Sequence, residues 1–135
     1  MVAVIATNDR WIPGAVARFS EGIDYGRGDT LHFVSAVETV SFVIDSKNLE
    51  KLTRVIPTKN ILRVYHKLAE IIVSLSEETI FTPGIVATIS GELARNGINI
   101  FEYLESIPHE IIIVNEKDAL RSYQLLQKLA SGSGK

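Results

Sequence analysis

This sequence contains no cysteine and no large excess of charge of either sign, and each absence excludes a class of function. Its 135 residues carry 14 basic and 16 acidic side chains, a formal net charge of −2. Without cysteine there is no disulfide, thiolate metal site or cysteine nucleophile, and a reducing, cytoplasmic location is expected. The balanced charge offers no cationic surface for a nucleic-acid backbone, so we expect no nucleic-acid partner.

Long apolar runs and catalytic motifs are missing as well. The uninterrupted apolar runs, such as Met1–Ala6 and Ile111–Val114, fall far below the ~20 residues of a membrane span, and no membrane association is expected. Phosphate-binding glycine loops, zinc-protease motifs and hydrolase nucleophile motifs do not occur. Because His32, His66 and His109 lie on different predicted elements, we expect no metal and no cofactor.

The residues that are present describe a chain with a core and an internal repeat. Hydrophobic residues make up 46% of the sequence and charged residues 22%, as in ordinary globular domains. The segment PGAVARFS at Pro13–Ser20 returns as PGIVATIS at Pro83–Ser90, and the same offset places Trp11 over Phe81. This repeat predicts two similar halves.

The second half predicts strand, loop, helix, two strands and helix. Thr82 stands at the N-cap position before Pro83, and Gly97 suits the left-handed residue that ends the helix. The predicted segments are the strand Glu70–Ser76, the polar loop Glu77–Thr82, a helix with Val86, Ile89 and Leu93 inward, the strands Ile98–Ser106 and Glu110–Val114, and a last helix capped by Asn115 with Ala119, Tyr123, Leu126 and Ala130 on one face.

The first half repeats this order and adds a strand. Its segments are Val2–Ala6, the helix Pro13–Ile23, the loop Tyr25–Asp29, Leu31–Ala36, Thr39–Ile44, a helix capped by Asp45, and Ile61–His66. The fold class is therefore α+β: two ferredoxin-like βαββαβ units, each with an antiparallel sheet and its helices on one face. We expect a degenerate first unit at 1–67, a second unit at 68–130 that ends before its own fourth strand, and a disordered tail at 131–135.

Each Pro-Gly joint is a candidate anion site. The first N–H groups of a helix lack intrahelical partners, and glycine lets a carboxylate approach them closely. Gly84, Ile85 and Val86 supply such donors in the second unit, and Gly14, Ala15 and Val16 do so in the first. The alternative is that Pro-Gly only marks the start of a helix.

The run TPGIVATISGELARNGINI at Thr82–Ile100, followed by a strand, a turn and IIIVNEKDA at Ile111–Ala119, resembles the ACT domain family. It is most similar to the ACT repeats in the regulatory region of aspartokinases. The resemblance implies a non-catalytic sensor that binds an amino acid or similar zwitterion between ACT units and acts allosterically. Its ligand residues map to Thr82, Gly84, Ile85 and Asn99.

The first unit departs from this pattern. Ile12 replaces the threonine before Pro-Gly, and Asp29 aligns with Asn99. Gly14, Ala15 and Asp29 are therefore only a second possible ligand site, where Asp29 either favours a ligand ammonium or forms a loop turn.

The expected partner is a second copy of this chain, as a homodimer or higher homo-oligomer, and an enzyme is a further candidate partner. Two alternatives stay open. One is a structural or interaction subunit of an amino-acid biosynthetic enzyme with no ligand of its own. The other is an acylphosphatase-like enzyme that would use Arg10, although the first unit lacks the asparagine that such chemistry needs.

Overall fold

The computed structural model describes residues 1–132, which form two compact units. The first unit is Met1–His66, and the second begins at Lys67. Within residues 1–132, none of the helices is both long enough and apolar enough to cross a membrane.

The first unit is a four-stranded antiparallel sheet with two helices. Its strand order is β2-β3-β1-β4, the ferredoxin-like arrangement predicted from the sequence, which is confirmed. The elements are β1 (Val2–Thr7), α1 (Ile12–Glu21), β2 (Leu31–Ser35), β3 (Thr39–Ile44), α2 (Leu49–Thr53) and β4 (Ile61–Tyr65).

Alternation along the strands builds the core of this unit. Val2, Val4 and Ala6 on β1 point to one side, because successive side chains of a strand face opposite ways, and they join one buried cluster with Phe19 of α1 and Leu52 of α2. Both helices therefore cover the same face of the sheet, as predicted.

The second unit has a three-stranded antiparallel sheet with the order β5-β7-β6. No fourth strand follows within the residues that the structure describes. The elements are β5 (Leu68–Ser74), α3 (Glu77–Ile80), α4 (Ile85–Arg95), β6 (Ile100–Ser106), β7 (His109–Asn115) and α5 (Ala119–Ala130).

The segment predicted as a polar loop before Pro83 contains the short helix α3. Ser76 caps it, since its Oγ accepts a hydrogen bond from the Thr79 N–H at 3.2 Å. Glu77 and Glu78 occupy the first turn, where acidic residues suit the positive end of a helix. The loop prediction was wrong because a capping serine followed by two glutamates is itself a helix-start signal.

The helix after this segment also begins later than predicted. Gly84, not Thr82, is the N-cap of α4, with a left-handed backbone at φ +90°. The Thr82 hydroxyl instead donates to the Glu78 carbonyl oxygen at 2.9 Å. Val86, which was predicted to face inward, is 46% exposed, and the buried stripe consists of Ile89 and Leu93.

The last α-helix of each unit, α2 in the first and α5 in the second, differs from the prediction in smaller ways. Asp45 does not cap α2; its carboxylate accepts from the Thr30 N–H at 2.6 Å. In α5 the inward position next to Leu126 is Ser122, whose hydroxyl donates to the Asp118 carbonyl at 2.7 Å, whereas Tyr123 is exposed.

The C-terminal tail is described only in part. Ser131 and Gly132 form a turn whose N–H groups donate to carbonyls of α5. The rest of the predicted disordered tail, 133–135, lies outside the described residues.

Candidate functional site

A cavity of about 300 Å³ in the second unit adjoins the start of α4. Four of the five predicted ligand residues line it, namely Thr82, Gly84, Ile85 and Val86; Asn99 does not. The volume is at the lower end of the range for small-ligand sites. The structure therefore brings the residues of the second Pro-Gly joint together around a space for a small molecule.

The first turn of α4 gives the cavity an electropositive wall. The N–H groups of Ile85, Val86 and Ala87 belong to the first turn, where intrahelical acceptors are lacking and the positive end of the helix dipole lies. The Gly84 carbonyl accepts from both the N–H and the hydroxyl of Thr88, at 2.9 and 2.8 Å, which fixes this turn. A carboxylate is the ligand group that such a wall favours.

The opposite wall comes from the β6–β7 turn and contains a buried carboxylate that sequence reasoning missed. Glu110 is 4% exposed and lines the cavity, and Glu105 lies directly across from it on β6. Burial raises the pKa of Glu110, and the neighbouring Glu105 carboxylate adds to this rise. A signal was available, because Glu110 shares its strand face with the core residues Ile112 and Val114.

Tyr103 also faces Glu110 from β6. Burial raises the pKa of the Tyr103 hydroxyl, and its proximity to Glu110 raises it further. The same hydroxyl offsets part of the rise in the Glu110 pKa. The pair nevertheless falls short of hydrogen-bond geometry, and both the Tyr103 hydroxyl and Glu110 Oε2 are buried without a hydrogen-bond partner among the described residues.

Asn99 lies at the other end of α4. The preceding Ile98 N–H bonds to the Leu93 carbonyl in the last turn of that helix, and Asn99 is exposed. An 11-residue helix is about 16 Å long. One copy of this unit therefore does not bring Asn99 and Gly84 to the same small ligand.

The three residues of the second possible site do not come together. Gly14 and Ala15 lie in the first half of α1, and Ala15 is fully buried. Asp29 lies past the other end of that helix, where its carboxylate accepts from the backbone N–H of Asp24 at 3.3 Å.

The Asp29 carboxylate already has partners within the first unit. It is buried, forms an ion pair with Lys47, and accepts from the Asn48 amide at 3.1 Å. Hydrogen bonds from Lys47 and Asn48 lower the pKa of Asp29 to about 2. Of its two expected roles, the structure supports the loop-fixing one.

The aligned aromatic residues Trp11 and Phe81 lie in different surroundings. Trp11 packs against the core of the first unit, whereas Phe81 in the second unit is 81% exposed. Within residues 1–132, no three histidine or acidic side chains converge in a way that suits a metal ion.

Comparison with known proteins relates the sequence to one domain family and the fold to several solved structures. Residues 63–128 match the ACT domain family, and no curated protein matches the chain. The structure is similar to the ligand-free regulatory subunit of aspartate kinase from Thermus thermophilus, at 14% identity and a TM-score of 0.67, over 94% of this chain and 89% of that chain.

Two further aspartate kinase structures have a similar fold. The aspartokinase alpha and beta subunits align at 16% identity and a TM-score of 0.69, over 95% of this chain and 86% of that chain. Aspartate kinase from Synechocystis aligns at 20% identity and a TM-score of 0.69, over 97% of this chain and 25% of that chain. The chain thus spans nearly all of a regulatory subunit and about a quarter of that whole kinase.

Proposed function

We propose that this chain, whose residues 63–128 match the ACT domain family, is a non-catalytic regulatory protein that binds an amino acid at the start of α4. The observation that carries the proposal is the cavity lined by Thr82, Gly84, Ile85 and Val86. It combines a size suited to a small molecule with helix N–H groups suited to a carboxylate.

We further propose that a second copy of the chain completes the site. Two large apolar side chains that line the cavity are exposed, Val86 at 46% and Ile107 at 74%, and Phe81, between the lining residues Ile80 and Thr82, is 81% exposed. Apolar groups clustered at a cavity mouth are typical of surfaces that a partner covers. A second copy also explains how Asn99, at the far end of α4, reaches a ligand.

The regulatory output is proposed by analogy of fold. The similar structures include a free regulatory subunit and complete aspartate kinases. We therefore propose that ligand binding alters either the assembly of this chain or its association with an enzyme. A subunit that has no ligand of its own is the alternative, and the following experiment separates the two.

Binding is tested by measuring the melting temperature of the wild-type protein with each of the twenty proteinogenic amino acids, followed by titration calorimetry for those that raise it. At least one is expected to stabilise the protein, because a ligand that binds only the folded state raises its stability. No stabilisation by any of the twenty would contradict the proposal and favour the subunit without a ligand.

A pair of matched variants locates the site. Val86→Asp places a carboxylate in the first turn of α4, where it suits the helix but repels a ligand carboxylate. It is expected to weaken binding at least about tenfold, which corresponds to ~1.4 kcal/mol. Gly14→Asp adds the same charge to the first turn of α1 and is expected to leave affinity and stoichiometry unchanged. Equal losses in both variants would place the ligand elsewhere.

A further inference from the structure

The cavity contains two walls of opposite polarity. Its lining includes Ile85, Val86 and Ala87, whose N–H groups form the electropositive first turn of α4, and the acidic residue Glu110. Glu110 is only 4% exposed, and its Oε2 accepts no hydrogen bond within the described part of the chain. A buried carboxylate oxygen without a donor is costly, and the described residues supply no donor to this one.

The side chains around Glu110 do not correct this deficit. Glu105 opposite it on β6 carries the same charge, and Val73 opposite it on β5 is apolar. His109 lines the cavity as well, but its Nδ1 is engaged with the Ser74 hydroxyl at 3.0 Å. Tyr103 comes close without forming a hydrogen bond. A positively charged group that enters the cavity would satisfy the carboxylate.

We propose that Glu110 binds the ammonium group of the ligand and makes a free amino group a requirement for binding in this cavity. The inference rests on the proposed function and specifies its ligand class. A molecule with one carboxylate and one ammonium satisfies both walls, since the carboxylate faces α4 and the ammonium faces Glu110. A carboxylic acid without the amino group satisfies only the first wall and leaves Glu110 without a donor.

The test compares two probes on the wild-type protein. The first is the L-amino acid that gives the largest rise in melting temperature, and the second is the 2-hydroxy acid with a hydroxyl in place of its amino group. Because a hydrogen bond between charged groups contributes more than a neutral one, the amino acid is expected to bind about 30-fold more tightly. Equal affinities would overturn the inference without any variant being made.

Glu110→Gln keeps the shape of the side chain and removes its charge. We expect it to reduce the preference for the amino acid to about threefold or less, through loss of amino-acid affinity. Glu78→Gln is the control, because Glu78 lies exposed on α3 and does not line the cavity; it is expected to keep the wild-type ratio. Melting curves without ligand establish that both variants are folded.

The outcomes separate the inference from the proposed function. A wild-type ratio retained in Glu110→Gln, with binding still lost in Val86→Asp, would overturn the role of Glu110 and leave the site in place. If no amino acid binds the wild-type protein, the proposed function fails and the inference fails with it.

Discussion

The carboxylates of Asp29 and Glu110 are both buried but have different environments. Of the two, only Asp29 was named as a candidate site residue from the sequence. Asp29 is paired with Lys47, which lowers its pKa to about 2. Glu110 has no cationic partner, and burial raises its pKa. The fold, rather than residue type, decides the difference: Lys47 reaches Asp29 because β2 and β3 pair with each other between the two residues.

The Asp29 pair predicts a specific pH dependence of stability. Because the pKa of Asp29 is about 2 in the folded protein and 3.8 without its partners, its contribution is complete above pH ~4 and is lost as the pH falls toward 2. Asp29→Asn should therefore lower the free energy of unfolding at pH 7, and its deficit relative to wild type should shrink below pH ~4. Urea unfolding at pH 7, 4, 3 and 2.5 measures this difference.

Lys47→Met provides the control, because it removes the partner and leaves the carboxyl group. It is expected to reproduce the deficit at pH 7 and to weaken the acid dependence. A deficit of Asp29→Asn that stayed constant down to pH 2.5 would show that the ion pair is not the cause.

At the scale of elements, the two Pro-Gly joints share a sequence and differ in structure. In the first unit α1 begins at Ile12, so that Pro13 and Gly14 lie inside its first turn. In the second unit, Gly84 is a left-handed N-cap that follows α3. The difference comes from the residues before the joint, because Ser76 and the following glutamates form α3 there.

This contrast predicts opposite effects for the same substitution. Gly84→Ala should lower the free energy of unfolding by about 1–2 kcal/mol, because a left-handed backbone disfavours a Cβ atom; the φ of Gly84 is +90° and its surroundings are otherwise open. Gly14→Ala should be neutral or stabilising by up to about 1 kcal/mol, since alanine favours a helix. Chemical denaturation of both variants tests the pair.

For these two glycine variants, the space around each site serves as the control. An added Cβ at Gly14 meets only the Arg18 side chain, at an ordinary 3.6 Å, so crowding does not account for a loss there. Equal destabilisation by both substitutions would contradict the backbone difference between the joints.

Local patterns determined most of the elements, and longer-range pairing determined the rest. The strand Thr39–Ile44 was predicted with the bounds that the structure has, and Gly97 follows the end of α4 in a left-handed conformation, as predicted. The start of α4 was misplaced because Pro-Gly fits both arrangements, and the neighbouring α3 selects one of them. The alternation of β7 places Glu110 on the same face as Ile112 and Val114, but its neighbour Glu105 comes from the pairing with β6, which no local pattern reveals.

At the scale of the whole molecule, the two units have diverged in how they could use the same joint. Ala15 is fully buried in the first unit, whereas the aligned Ile85 lines a cavity in the second. The acidic residue of the first unit, Asp29, is ion-paired, whereas the aligned Asn99 is exposed. We therefore propose that the second unit binds the ligand and that the first unit serves mainly as a scaffold.

If a ligand needs Asn99 from one copy and the cavity from another, two inactive variants should complement each other. Asn99→Ala and Val86→Asp are each expected to bind poorly alone. In a two-fold symmetric mixed dimer, the chain with Asn99→Ala contributes an intact cavity and the chain with Val86→Asp contributes an intact Asn99. Random pairing of equal amounts should restore about a quarter of the wild-type sites. Calorimetric stoichiometry after co-refolding measures this fraction, and a mixture that stays inactive would mean that each copy binds its ligand without the other.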